Sequence, residues 1–157
     1  MNNPPPSGHV PVLFRILTEI AIIEQLSRAQ LEAQLPPPLI APHFAVLSHL
    51  SRGYDGAAPI DMARAFQVPK TSMTHTLKGL EQHGYVTLRP NPADGRSKTV
   101  WITCKGGALM GQTISAMAPS MRNLMEGFDP QRLDQLLSVL SELRAKLDVA
   151  RNPESSG

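Results

Sequence analysis

Apolar residues recur at helical spacing along most of this chain, with one change of rhythm past its middle. From about Val10 to Gln34 they fall at Leu13, Ile16, Leu17, Ile20, Ile23 and Leu26, which predicts a first long helix ended by Pro36-Pro37-Pro38. A second helix is expected from His43 to Arg52, with Phe44, Leu47 and Leu50 inward and Gly53-Tyr54-Asp55-Gly56 as its break. Ile60 to Phe66 reads as a short third helix with Ile60, Ala63 and Phe66 inward. The fourth runs from Lys70 to His83 on the stripe Met73, Leu77, Leu80, and Gly84 stops it.

The rhythm then becomes strand-like. Tyr85 to Arg89 and Thr99 to Thr103 are two short β-like runs, and Pro90, Asn91, Pro92 and the Asp94-Gly95 pair predict the hairpin turn between them. Thr103 is the expected N-cap of a long fifth helix to about Gly127, which Pro119 should bend. Asp129-Pro130 reads as an N-cap with Pro at the first helical position of a last helix. That helix carries Leu133, Leu136, Leu140, Leu143 and Leu147, whose alternating steps of three and four make a heptad seam.

Composition narrows what such a chain can be. Its 157 residues suit one compact domain with extensions, and with only 4% aromatic residues the core must be aliphatic and Met-rich. The single Cys104 excludes an intrachain disulfide and favours a reducing, cytoplasmic setting. Residues 1–8 are polar and Pro-rich, as a disordered tail is, and show neither a signal peptide nor a membrane span. The net charge of +2 says little, but its distribution says more. Residues 62–105 hold seven bases against two acids, a local +5, while the remainder is −3. An ordinary solvated surface could show this. So could a face for nucleic acid.

The chemistry near that charge favours nucleic acid. With Met73, Leu77 and Leu80 inward, the fourth helix leaves Lys70, Thr71, Ser72, Thr74, His75 and Lys78 outward. Short polar side chains near a helix start suit base edges in a major groove, and the helix N-terminus attracts phosphate. A hydroxyl there can also simply cap the helix. The hairpin that follows displays Arg96 and Lys98.

Three stretches, in this order, resemble the winged-helix signature of the MarR (multiple antibiotic resistance regulator) family. They are Leu80-Glu81-Gln82-His83-Gly84-Tyr85-Val86, Asp94-Gly95-Arg96-Ser97-Lys98, and Ile102-Thr103-Cys104-Lys105-Gly106. The resemblance implies a mainly α fold with a small antiparallel β-wing. The expected organisation is a dimerisation helix over 9–35, a winged helix-turn-helix lobe over 36–103, dimerisation helices over 104–151 and a tail over 152–157. It further implies a homodimeric transcriptional regulator, most often a repressor, on a pseudo-palindromic double-stranded DNA operator. The fourth helix would enter the major groove and Arg96 the minor groove, with Asp94 orienting that arginine. His75 stands where many relatives carry Arg, so no base preference carries over.

Relatives of this kind respond to small phenolic or lipophilic acids, and Arg15, His43, His49 and Met110 are the expected effector contacts. Cys104, at the first turn of a helix beside Lys105, is a candidate redox thiol. The alternative to DNA binding is a winged helix used for protein contacts. No cofactor, metal set, phosphate loop or catalytic constellation is present in the sequence, which argues against an enzyme.

Overall fold

A computed structural model describes residues 8–151; the expected tails over 1–8 and 152–157 lie outside the described residues, apart from Gly8. The elements are α1 (His9–Glu32), α2 (Ala41–His49), α3 (Pro59–Ala65), α4 (Lys70–Gln82), β1 (Val86–Asn91), β2 (Asp94–Ile102), α5 (Cys104–Met125) and α6 (Pro130–Arg151). The fold is mainly α, with one two-stranded antiparallel sheet, the wing. The chain divides into two compact units at Met117/Ala118.

In the first unit, one core is built from α2, α3, α4 and the base of the wing. Leu47, Leu50, Met62, Leu77, Leu80, Val86 and Val100 are its most deeply buried side chains. Each contributes about 1.5–3 kcal/mol by leaving water. The stripe Met73, Leu77, Leu80 is buried as its spacing predicts. The third helix differs from expectation: Ile60 is exposed, and Met62 is buried beside Ala63. Seven residues span barely two turns, so the position facing the core is set by the packing of α3 on α4, not by its own periodicity. Likewise α2 begins at Ala41, ahead of His43, because Pro42 fits a first helical turn. A π-helical turn, Leu50–Tyr54, continues it to where Gly53 takes φ 99°. Its buried residues are Val46, Leu47 and Leu50, and Phe44 is only half-buried.

The wing is longer than its sequence suggests. Pro90 and Asn91 belong to β1, Asp94 and Gly95 belong to β2, and the two-residue turn is Pro92-Ala93. Pairing runs from Val86↔Ile102 to Pro90↔Lys98 and then jumps to Asn91↔Asp94. Gly95, Arg96 and Ser97 therefore have no partner across the hairpin, and they form an irregular bulge at its tip.

Where the wing returns to helix, the chain is tightly joined. Thr103 caps α5: its Oγ1 accepts the Gly106 N–H (3.1 Å) and its hydroxyl donates to the Gly84 carbonyl (2.7 Å). Its own N–H donates to the Tyr85 carbonyl (3.1 Å). Gly84, at φ 72°, ends α4 as expected. Pro119 lies inside α5. In the second unit, the Asp129 carboxylate accepts the Gln131 N–H (2.9 Å) ahead of Pro130, the cap foreseen for α6.

A methyl group on Gly106 would lie 2.2 Å from the Tyr85 carbonyl oxygen, with Ile102 and Leu47 behind. Backbone cannot yield cheaply there, so Gly106→Ala should cost about 1–3 kcal/mol. A lowered urea midpoint at unchanged slope is the expected result; an unchanged midpoint would contradict this packing.

Candidate nucleic-acid interface

Helix α4 is held by one face and displays the other. Thr71, Ser72, Thr74, His75 and Lys78 are all exposed, opposite the buried Met73 and Leu77. No side chain caps its N-terminus, so neither Thr71 nor Ser72 is engaged there. The Thr74 hydroxyl donates back to the Lys70 carbonyl (2.9 Å), which leaves its oxygen lone pairs to accept from outside. The cations Lys70, Lys78, Arg89, Arg96 and Lys98 make no ion pair among the described residues. The positive charge of this region is therefore not neutralised internally.

At the wing tip, side chains hold the backbone. Asn91 Oδ1 accepts the Ala93 N–H (3.0 Å), and Asn91 Nδ2 donates to Ser97 Oγ (3.0 Å). Ser97 Oγ in turn donates to the Asp94 carbonyl (3.1 Å). Asp94 does position Arg96, but not through the guanidinium. Its Oδ1 accepts the Arg96 backbone N–H (3.0 Å), so the arginine head is left outward and exposed. Lys98 is exposed beside it.

The base of the wing is anchored to the segment after α2. Gly56 N–H donates to the Val100 carbonyl (2.7 Å), Val100 N–H to the Ala57 carbonyl (2.9 Å), and Ile102 N–H to Asp55 Oδ1 (2.8 Å). Gly56, at φ 88°, leaves room for the Trp101 indole; a Cβ there would come within 2.8 Å of the ring. Trp101 Nε1 donates to Thr99 Oγ1 (2.9 Å), and the Arg89 guanidinium carbon sits 5.0 Å from the ring centroid. Sequence reasoning counted Arg89 as charge only. An Arg two residues before the turn and the only Trp of the chain on the opposite strand were the signal available.

The four expected effector contacts are not brought together within the chain. Arg15 is exposed on α1. His43 reaches back to cap its own helix, Nδ1 accepting the Ile40 N–H (3.1 Å), and its ring lies against Gly79 of α4. His49 stacks on Tyr54 at 4.3 Å and meets Phe66 edge-on at 5.2 Å. Met110 Sδ accepts from Ser51 Oγ (3.0 Å). Each side chain already has a local role, which spacing along the sequence could not reveal.

Instead, an open cleft of about 320 Å³ lies elsewhere. Glu24 and Arg28 of α1, Ala41 to Val46 of α2, Phe66, Val68, and Ser72, Met73 and Thr76 of α4 line it. Arg28 Nε donates to Glu24 Oε1 (2.7 Å) at its edge. Cys104 is exposed at the start of α5, and Lys105 is committed to the His83 carbonyl (2.7 Å) and the Tyr85 ring face. No group of three or more His, Cys, Asp or Glu among the described residues could hold a metal ion.

Residues 34–97, which span α2 to the wing tip, match the model of the MarR family. The winged-helix lobe belongs to the MarR family. Solved MarR-type structures share the fold. BldR, a transcriptional regulator from Sulfolobus solfataricus, is similar at 19% identity and TM-score 0.76, over 87% of this chain and 97% of that one. A MarR transcriptional regulator from Methanosarcina mazei Go1 is 21% identical at TM-score 0.73, over 85% of this chain and 97% of that one. A mutant MarR from E. coli complexed with operator DNA is 23% identical at TM-score 0.71, over 90% of this chain and 99% of that one. MarR-family proteins are transcription regulators, not enzymes. No helix among the described residues is long and apolar enough to cross a membrane.

His43 gives this MarR-type lobe a pH dependence. Burial holds its pKa below the ordinary 6.5, and the charges of His75 and His83 push the same way. Burial lowers His49 too, with Arg52 adding to it. Below the ordinary value the unfolded chain thus binds more protons than the folded one. Stability is complete above that value and is lost as pH falls toward the lowered folded pKa. Melting temperature should drop on acidification across about pH 7 to 5, and less so in His43→Gln, which keeps an acceptor for Ile40 without the titration. Equal slopes in the two proteins would refute the assignment to His43.

Proposed function

We propose that this chain is a homodimeric, sequence-specific DNA-binding transcriptional regulator of the cytoplasm, acting as a repressor that a small phenolic or lipophilic acid releases. The observation that carries DNA binding is one arrangement in the first unit. An outward set of hydroxyl, His and Lys side chains on α4 is joined directly to a wing whose Arg96 and Lys98 have no carboxylate partner among the described residues. In this reading α4 lies in the major groove, where Thr71, Ser72, Thr74, His75 and Lys78 meet base edges and phosphates. Arg96 enters the adjoining minor groove, whose negative potential is greatest where it is narrow. The same fold in E. coli MarR has been captured with operator DNA, which supports the reading.

Dimerisation is supported by surface that a single chain leaves bare. Val12, Phe14, Ile16, Ile22, Ile23 and Leu26 of α1 are all exposed, and they point to more than one side of the helix. On α6 no residue is buried, and Leu136 and Leu147 of the seam are each 53% exposed. A second copy covering these faces would set two α4 helices about 34 Å apart, one turn of DNA. The cleft between α1, α2 and α4 is the better effector site than the four residues expected from sequence. A ligand there touches the dimerisation helix and the reading helix together.

On DNA from upstream of its own gene, Arg96→Ala should weaken binding by about 1–3 kcal/mol in a mobility-shift titration. Wild-type protein that fails to shift this DNA even at low salt would defeat the regulator reading. Sedimentation equilibrium should return twice the 17.1 kDa chain mass, and a stable monomer at micromolar concentration would remove the two-site model.

A further inference from the structure

We propose that Arg89, held face-on over Trp101, is a DNA-backbone contact beside the wing tip. The inference rests on the DNA-binding reading and adds to it a residue outside the reading helix and the tip. Strand pairing puts Thr87 opposite Trp101 and Arg89 opposite Thr99, and these four share the face of the wing away from the buried Val86 and Val100.

Thr99 is nevertheless only 8% exposed on that outer face. Trp101 makes this possible: its indole lies back along the strand, and its Nε1 donates to Thr99 Oγ1 (2.9 Å). The Thr99 hydroxyl in turn reaches the Arg89 carbonyl (3.4 Å). Gly56 closes on the ring edge so nearly that a Cβ would come within 2.8 Å. The indole is thus immobilised, and the Arg89 guanidinium rests 5.0 Å from its centroid.

A guanidinium held by its π face keeps its N–H edge available, in the planar fork that matches a phosphate. Arg89 forms no ion pair among the described residues, and the two carboxylates nearest in the chain topology are occupied. Asp94 accepts the Arg96 N–H, and Asp55 accepts the Ile102 N–H. An exposed Arg fixed by a ring, pointing a free donor edge outward, loses little side-chain entropy when an anion arrives. A flexible surface lysine would lose more. The anion that a cationic wing meets in a DNA complex is the phosphate chain flanking the groove that Arg96 enters.

Arg89→Gln and Trp101→Leu are compared with wild type and Arg96→Ala by fluorescence anisotropy on a mixed-sequence duplex at several salt concentrations. Melting temperature is read in parallel to show that each variant is folded. Loss of one phosphate contact lowers the slope of log K against log salt by about 0.9, and Arg89→Gln should show this with affinity down roughly tenfold at low salt. Trp101→Leu keeps the charge but frees the arginine, so it should lose affinity by a smaller factor. Wild-type slope and affinity in a folded Arg89→Gln, with Arg96→Ala impaired, overturns the proposal alone. Wild-type protein that binds no duplex overturns it together with the DNA-binding reading.

Discussion

The close approach of the first turn of α5 to the end of α4 sets the frame on which the DNA-reading surface is built. Gly106 stands where a Cβ would strike the Tyr85 carbonyl, and Thr103 ties the Gly84 carbonyl to the Gly106 amide through one hydroxyl. Lys105 adds a bond to the His83 carbonyl. Carbonyls at a helix end normally go to water; here the returning chain satisfies them. The end of the reading helix, the start of the wing and the root of the long helix are thereby held at one point. Neither α4 nor the hairpin could be re-aimed without breaking that junction.

From this junction the lobe separates its two requirements. Stability lies on one side, in the aliphatic cluster of Leu47, Leu50, Met62, Leu77 and Leu80. Recognition lies on the other, where charge and hydroxyls face outward without internal partners. The wing repeats the division: Val86 and Val100 bind it to the core, while Arg89 and Trp101 occupy the opposite face. His43 lies between the two sides. It caps α2 and fits against Gly79 of α4, so its protonation state bears on how the two helices pack.

Legibility in the sequence followed the range of the physics. The stripe Met73, Leu77, Leu80, the stop at Gly84 and the caps at Thr103 and Asp129 were readable because each depends on residues within a turn or two. Ile60 was misplaced because α3 is too short for periodicity to choose a face. The hairpin turn was misplaced because Asp94-Gly95 carries a strong turn signal, which Asn91 and Pro92 satisfy one step earlier. Arg96 and Lys98 were found at the tip from spacing alone. Arg15, His43, His49 and Met110 were grouped by chemistry, yet long-range packing sends each to a different neighbour. The cleft at Glu24, Arg28 and Ser72 needs three helices to exist, so no local pattern announces it.

The bulge of Gly95, Arg96 and Ser97 insulates the tip of the wing from its base. In an ordinary hairpin, one inserted or deleted residue would turn every later side chain to the wrong face. Here the pairs from Val86↔Ile102 to Pro90↔Lys98 are fixed below the irregularity, and slack collects above it. Residues at the tip can thus be exchanged, lengthened or shortened while Val100 stays in the core and Trp101 outside. Such a wing can change what it reads without renegotiating how the lobe folds, and groove preference becomes a trait that drifts independently of stability.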